Sequence, residues 1–292
     1  MLTLLLALAL ESPQPFADGK VETVNGITFT PDGNTLFNAF MRRDPKSPDS
    51  FGNIRMEICT QDLKDGRWSR PRIAEFSGKH NDYEPFLSAD GKRLFFMSNR
   101  PRPNTSQDWV PQDIWVVERD LIDKQWGKWG IPRFIPEASS DGYDGYPCET
   151  ADRTLFFASD RADDAQPGKG ATDLWYITRT GDTYSAPINL FDINTPEIET
   201  DPVLPPDGSF IIFQSVPKDA PFSACELAVS FRITENNTTR WTKPALLTRI
   251  NTNDGEISPA LTPDGKSLLY LSGPKLMQAD LAWVLEGLRP QH

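Results

Sequence analysis

The 292-residue sequence predicts an all-β chain, a β-propeller of five four-stranded blades, and three observations carry that expectation. An Asp-Gly-type turn recurs five times between apolar runs. A proline recurs at a fixed distance before it, and the C-terminal repeat lacks a strand that the N-terminus can supply.

The turn reads Pro31-Asp32-Gly33, Ala89-Asp90-Gly91, Ala151-Asp152-Arg153, Pro206-Asp207-Gly208 and Pro263-Asp264-Gly265, with third positions 58, 62, 55 and 57 residues apart. Asp-Gly between apolar runs signals a hairpin, because Gly accepts positive φ and Asp bonds its own backbone. Each turn precedes a hydrophobic strand: Thr35 to Phe40, Arg93 to Met97, Thr154 to Ala158, Phe210 to Phe213 and Ser267 to Leu271. Six residues before the turn's last residue stand Pro85, Pro147, Pro202 and Pro259, with Ile27 in the first repeat, marking the leading strand.

A third strand opens with an acid and an aliphatic residue at Asp113-Ile114-Trp115, Asp173-Leu174-Trp175, Glu226-Leu227-Ala228 and, more loosely, Asp280-Leu281-Ala282; Asn53-Ile54-Arg55 is the weaker first copy. The fourth element reads aromatic-x-x-Pro, as Trp68 with Pro71, Trp129 with Pro132, Tyr184 with Pro187 and Trp241 with Pro244. Proline suits an outer edge strand, where a lost N–H breaks no ladder bond. The last repeat stops after its third strand. Ser12 to Phe16 completes it: Pro15 lies 18 residues before Gly33, where the other fourth-strand prolines lie 20 or 21 before the next turn's last residue. The repeats are expected over about 21–78, 79–139, 140–195, 196–252 and 253–292, with 12–17 as the closing strand and a six-bladed ring as the alternative. Closure matters because an open ring would expose a sheet face and an edge.

These residues resemble TolB-type, WD-like propeller repeats: a leading strand into Pro-Asp-Gly, then Leu-x-Phe-x-Ser-x-Arg, then Asp-Ile-Trp. The best copies are Glu84 to Trp115 and Tyr146 to Trp175, and Ile250-Asn251-Thr252 to Ser272 matches the variant of bacterial envelope proteins. The resemblance covers about residues 12–285 and departs at Arg153 and in the third strands of repeats one, four and five. It implies the fold and leaves the activity open, since propellers host many unrelated functions. Within it, Ser98 with Arg100 and Ser159 with Arg161 are expected to bond Asp113 and Asp173. Trp68, Trp115, Trp129, Trp175 and Trp241 are expected to pack blade on blade.

Composition narrows the function. A formal charge of −11 argues against nucleic acid, which needs a concentrated basic face. Cys59, Cys148 and Cys225 are odd in number and widely spaced, so they read as buried small hydrophobes. His80 and His292 leave little for a histidine metal site or a Ser-His-Asp triad. Met1 to Leu10 reads as a signal-peptide core, too short for a membrane span. Residues 11–292 are then one exported propeller, periplasmic or secreted, monomeric and without a span.

Three residues before the aligned prolines stand Asp82, Asp144, Glu199 and Glu256; Glu84 and Asp201 follow two residues on, with Tyr83, Tyr143 and Tyr146 beside them. Same-parity residues share a strand face, so these carboxylates are expected to converge at an acidic channel mouth unless they are solvated loop residues. The sites expected to bind ligand are Asp82, Glu84, Asp144, Tyr146, Glu199, Asp201, Glu256 and His80. The expected partner is an envelope protein, a peptide or a small ligand, with Ca²⁺ as the cation an all-oxygen rim would suit. No residue is assigned a catalytic role; the alternative is a carbohydrate-active hydrolase or lyase working through channel carboxylates, with His80 as the singular base.

Overall fold

A computed structural model describes residues 12–21, 23, 25–44, 54–103, 105, 111–123, 125–162, 168–221, 224–235 and 238–290. The apolar run 1–10, Asn53 and His292 lie outside them. Every sheet pairing is antiparallel, and five blades follow the chain. Their first three strands are Asn25–Phe29, Thr35–Arg43 and Ile54–Lys64; Asp82–Leu87, Arg93–Ser98 and Asp113–Glu118; Asp144–Glu149, Leu155–Ser159 and Asp173–Ile177; Ile198–Val203, Phe210–Val216 and Glu226–Glu235; and Glu256–Leu261, Ser267–Ser272 and Lys275–Asp280.

The outer strands are two residues long and start just past the expected prolines: Arg72–Ile73, Arg133–Phe134, Ile188–Asn189 and Ala245–Leu246. In blade five Gln14–Pro15 takes that place, Gln14 opposite Gln278 and Pro15 opposite Met277. The N-terminus therefore closes the ring. Phe16 seals the joint against Phe29 and Trp68 of blade one, with ring centroids 6.0 and 6.4 Å apart. Among the described residues no helix is long and apolar enough to cross a membrane.

Both faces of the second strands are buried, which explains their unbroken apolar runs. Leu94 and Phe96 face Phe37 and Ile58 of blade one, whereas Phe95 packs with Leu155, Phe157 and Trp175 of blade three. Similar cores join blades three and four, four and five, and five and one, so each blade stabilises two neighbours. The tryptophans pack as expected: Trp129 meets Phe37 across blades, and Trp241 meets Phe156.

The turns owe their shape to the expected chemistry. Gly33, Gly91, Gly208 and Gly265 have φ of 63 to 71°, and Arg153 is forced to 67°. Asp32, Asp90, Asp152 and Asp264 each accept a hydroxyl from the Thr or Ser two residues earlier and a backbone N–H from two residues later.

Two expectations are corrected. Ser98 and Arg100 bond Asp82, and Ser159 and Arg161 bond Asp144, not the third-strand acids. The ladder sets Ser98 between Asp82 and Asp113 and Ser159 between Asp144 and Asp173, and the third-strand acids are taken by other donors. Asp113 takes Arg102 through two 2.8 Å bonds, and Asp173 accepts the backbone N–H groups of Lys169 and Gly170. Asp280 ends its strand instead of opening it. Its carboxylate caps the short helix Leu281–Val284 by accepting the Trp283 N–H, an N-cap that imitates a strand head in sequence.

Candidate functional site

The acids three residues before the aligned prolines form neither an open ring nor a solvated loop. Asp82, Asp144, Glu199 and Glu256 are each fully buried. Asp82 accepts Ser77, Ser98 and Arg100, and Asp144 accepts Ser140, Ser159 and Arg161. Thr195 serves Glu199, while Thr252 and Ser272 serve Glu256. Arg100 lies 5.3 Å from the Trp115 ring and Arg161 5.5 Å from the Trp175 ring, so acid, arginine and tryptophan form one repeated clamp. Among the described residues no arginine pairs with the copies in blades four and five. Burial pushes Glu199 up to about 7 against the hydrogen bonds from Thr195. His80 is half-buried beside this clamp in blade two. Burial and the Arg100 charge hold its imidazole below the ordinary range.

Two residues further on, the chain departs from regular strand. In every inner strand the register slips just before the aligned proline, between Asn25 and Ile27, Tyr83 and Phe86, Gly145 and Cys148, Thr200 and Val203, and Ile257 and Ala260. At each slip one residue is left-handed: Gly26, Glu84, Tyr146, Asp201 and Ser258, with φ of 50 to 57°. Such a bulge re-aims a side chain. It also breaks the parity rule, so Asp82 and Glu84 do not share a face as alternation alone would have them do.

The re-aimed residues Glu84, Tyr146 and Asp201 line a central cavity of about 460 Å³, within the usual size for small-molecule sites. Its walls include Phe29, Phe86, Leu204 and Leu261 and the four aligned prolines. Pro31, Ala89, Pro206 and Pro263 of the turns also line it, so it opens on the face opposite the Asp82-type acids. Arg289 stands exposed on the lining at that end.

Glu84 is 5% exposed and accepts no hydrogen bond or ion pair from any described residue. Burial, then the Asp201 charge, pushes its carboxyl well above the ordinary range. Burial lifts Asp201 to about 7 although hydrogen bonds from Ser258 pull it down. The Tyr146 ring packs tilted against Tyr143 with centroids 6.2 Å apart, and burial with the two carboxyl charges raises its hydroxyl well above its ordinary value. Space for Glu84 depends on glycine next door: a Cβ on Gly26 would lie 2.7 Å from Glu84 Oε2.

Of the sequence-expected residues, the structure thus brings Glu84, Tyr146 and Asp201 into one cavity and places Asp82, Asp144, Glu199, Glu256 and His80 outside its lining. Sequence reasoning missed Gly26, Ser258 and the opening at the turns. The residue before each aligned proline was the available signal. Among the described residues no three His, Cys, Asp or Glu side chains form a metal-binding set.

No family model and no curated protein matches the chain. Similar solved structures include a TolB described as putative from Agrobacterium tumefaciens, at 12% identity and a TM-score of 0.49, covering 85% of this chain and 69% of that one. TolB from Acinetobacter baumannii, at 17% and 0.45, covers 89% of this chain and 54% of that one. An α-L-arabinofuranosidase from Lactobacillus brevis, at 11% and 0.48, covers 75% of each. The described residues are those of a five-bladed β-propeller, and its chemistry is to be read from the cavity itself.

Proposed function

We propose that the protein is a binding propeller whose ligand enters the central cavity from the face of the Asp-Gly turns, either as a small molecule or as a side chain protruding from an envelope protein or peptide. The supporting observation is Glu84: a buried carboxyl with no hydrogen-bonding or ion-pair partner among the described residues, beside Asp201, in a cavity large enough for a ligand. Leaving such a group unpaired is costly unless a bound partner compensates it. On this reading the exported chain acts in the periplasm or outside the cell as a rigid monomeric scaffold, and the Asp82-type clamps hold its blades. The test is a fragment screen by ligand-observed NMR, with hits located by crystallography. Hits seated in the channel support the reading; hits confined to other surfaces overturn it.

A second reading is carboxyl-based hydrolysis, favoured by one observation. Glu84 and Asp201 interact across the cavity in unequal settings, Asp201 hydrogen-bonded by Ser258 and Glu84 bare, and differentiated carboxyls are what acid and base roles require. Turnover of aryl glycosides that both Glu84→Gln and Asp201→Asn abolish would establish hydrolysis in place of binding.

A further inference from the structure

We infer that the cavity selects a ligand with a single organic cation, a primary ammonium, carried on a compact apolar body. This rests on the binding reading above and adds the ligand's chemical class.

The cavity's hydrogen-bonding character is one-sided. Pro85, Pro147, Pro202 and Pro259 stand immediately after the left-handed residues in four of the five blades. Proline has no N–H, so at this level the backbone offers the channel carbonyls and few donors. At this level the side chains add the Glu84 and Asp201 carboxyls and the Tyr146 hydroxyl. Of the other donors on the lining, Ser88 and Thr262 are committed to the turn aspartates and Arg289 stands at the exposed end, so the two buried carboxyls decide the sign of the ligand and disfavour an anion. An ammonium supplies three donors and no acceptor.

Charge count sets the number of cations. Glu84 and Asp201 interact closely enough that one carboxyl hinders ionisation of the other. One monocation compensates one ionised carboxyl while the second keeps its proton; a dication would require both to ionise in a desolvated space. Phe29, Phe86, Val203, Leu204 and Leu261 give the ligand's body an apolar surround. Glu84 is the independent pointer to a ligand, being more than nine-tenths buried, without a hydrogen-bonding partner among the described residues and on the cavity wall.

Binding exchanges a proton for the cation. The ammonium enters, the carboxyl O–H bond breaks, the carboxylate pairs with the ammonium, and one proton leaves to solvent. The other titratable groups around the pair are the Tyr83, Tyr143 and Tyr146 hydroxyls and, near Asp201, the Cys148 and Cys225 thiols, which burial pushes up; Glu149, Asp207 and Arg289 line the cavity further out, and Glu149 is already held by Arg93 at 2.8 Å. Asp201, lifted to about 7, is the member of the carboxyl pair able to release that proton near neutral pH.

The experiment titrates the purified protein by calorimetry with three near-isosteric probes at millimolar concentration: 2-phenylethylammonium, 2-phenylethanol and 3-phenylpropanoate. The ammonium is expected to bind about tenfold or more tighter than the alcohol, as a charge-assisted contact would give, and the propanoate least. Its affinity should rise from pH 5 to 8, with proton release seen as a buffer-dependent heat. The double variant Glu84→Gln/Asp201→Asn, checked for folding by thermal melts, should lose most of the ammonium preference, whereas either single variant leaves one carboxyl to pair with the ammonium and should retain a preference. Equal binding of all three probes would overturn the inference and leave the cavity reading standing. Tighter binding of the propanoate, or no binding of the ammonium, would also overturn it, and the cavity reading is then decided by the fragment screen.

Discussion

Asp201→Asn is the sharpest test of the buried carboxyl pair, because the same substitution should do nothing in acid and stabilise the protein above neutrality. Asp201 has an ordinary value of 3.8 and is lifted by burial to about 7 in the folded state. A group whose folded value is raised keeps its proton in the native state after the unfolded chain has lost its own. The folded protein therefore binds more protons between about pH 4 and 7, and stability falls as pH rises through that window. At about 1.4 kcal/mol per unit the displacement integrates to about 4 kcal/mol by pH 8. Glu84 titrates in the same space, so the loss belongs to the pair, and one substitution recovers at most that amount. Asparagine cannot ionise, and its side-chain oxygen keeps an acceptor for Ser258. Urea unfolding of wild type and Asp201→Asn at half-unit steps from pH 4 to 8.5 should give curves that coincide near pH 4, diverge steadily between pH 4 and 7 and run parallel above. The corresponding rise in Tm is on the order of 10 °C at pH 8. A difference that stays flat with pH, or a less stable variant at pH 8, would refute the claim that this carboxyl is held protonated by burial.

Three further outcomes follow from the packing. Arg100→Met should cost about 3 to 5 kcal/mol in urea unfolding, because it strands the fully buried Asp82; a loss below about 1 kcal/mol would mean that Ser77 and Ser98 suffice. Removing residues 1–17 uncovers the edge of Lys275–Asp280 and should raise the mass seen by light scattering above that of the full chain, as further association or aggregate, whereas Phe16→Ala, which trims a half-buried ring, should cost about 2 kcal/mol without opening the ring. Gly26→Ala meets Glu84 Cα and Pro85 Cδ at 2.8 Å in a left-handed conformation and should lower stability by more than about 2 kcal/mol; an unchanged Tm would show that the first blade's bulge can relax.

The ring was legible in the sequence because its joints depend on residues with few substitutes. Asp-Gly turns need positive φ, outer strands tolerate proline, and Pro15 at the right spacing revealed the closing strand that pairs with Met277 and Gln278. Legibility failed where one residue type serves two geometries. Asp280 followed by Leu281 has the composition of a strand head, yet its carboxylate caps a helix. The tight Gly273-Pro274 turn ahead of Lys275–Asp280 was the better marker of that strand. Ser98 and Arg100 were assigned the wrong acid because the middle strand sets Ser98 opposite an acid on either side, Asp82 and Asp113, and the repeat pattern does not show that Arg102 already holds Asp113.

The site was half legible for a related reason. Alternation treats Asp82 and Glu84 as equivalent neighbours, and a one-residue bulge separates them into a structural clamp and a cavity wall. Comparing the five blades with one another restores the distinction. Position by position, the clamp acid is Asp, Asp, Glu and Glu in blades two to five, as expected of a part each blade needs for its own geometry. The left-handed residue is Gly, Glu, Tyr, Asp and Ser in blades one to five, so the fold imposes a backbone conformation there and leaves the chemistry open. Four of these are not glycine, and holding them at positive φ costs on the order of 1 kcal/mol or more each. A ring of five like units places a glycine and four unlike side chains at equivalent positions. That asymmetry, together with the strain retained to aim them inward, is the physical reason to look for the ligand at Glu84, Tyr146 and Asp201 and not at the repeated acids.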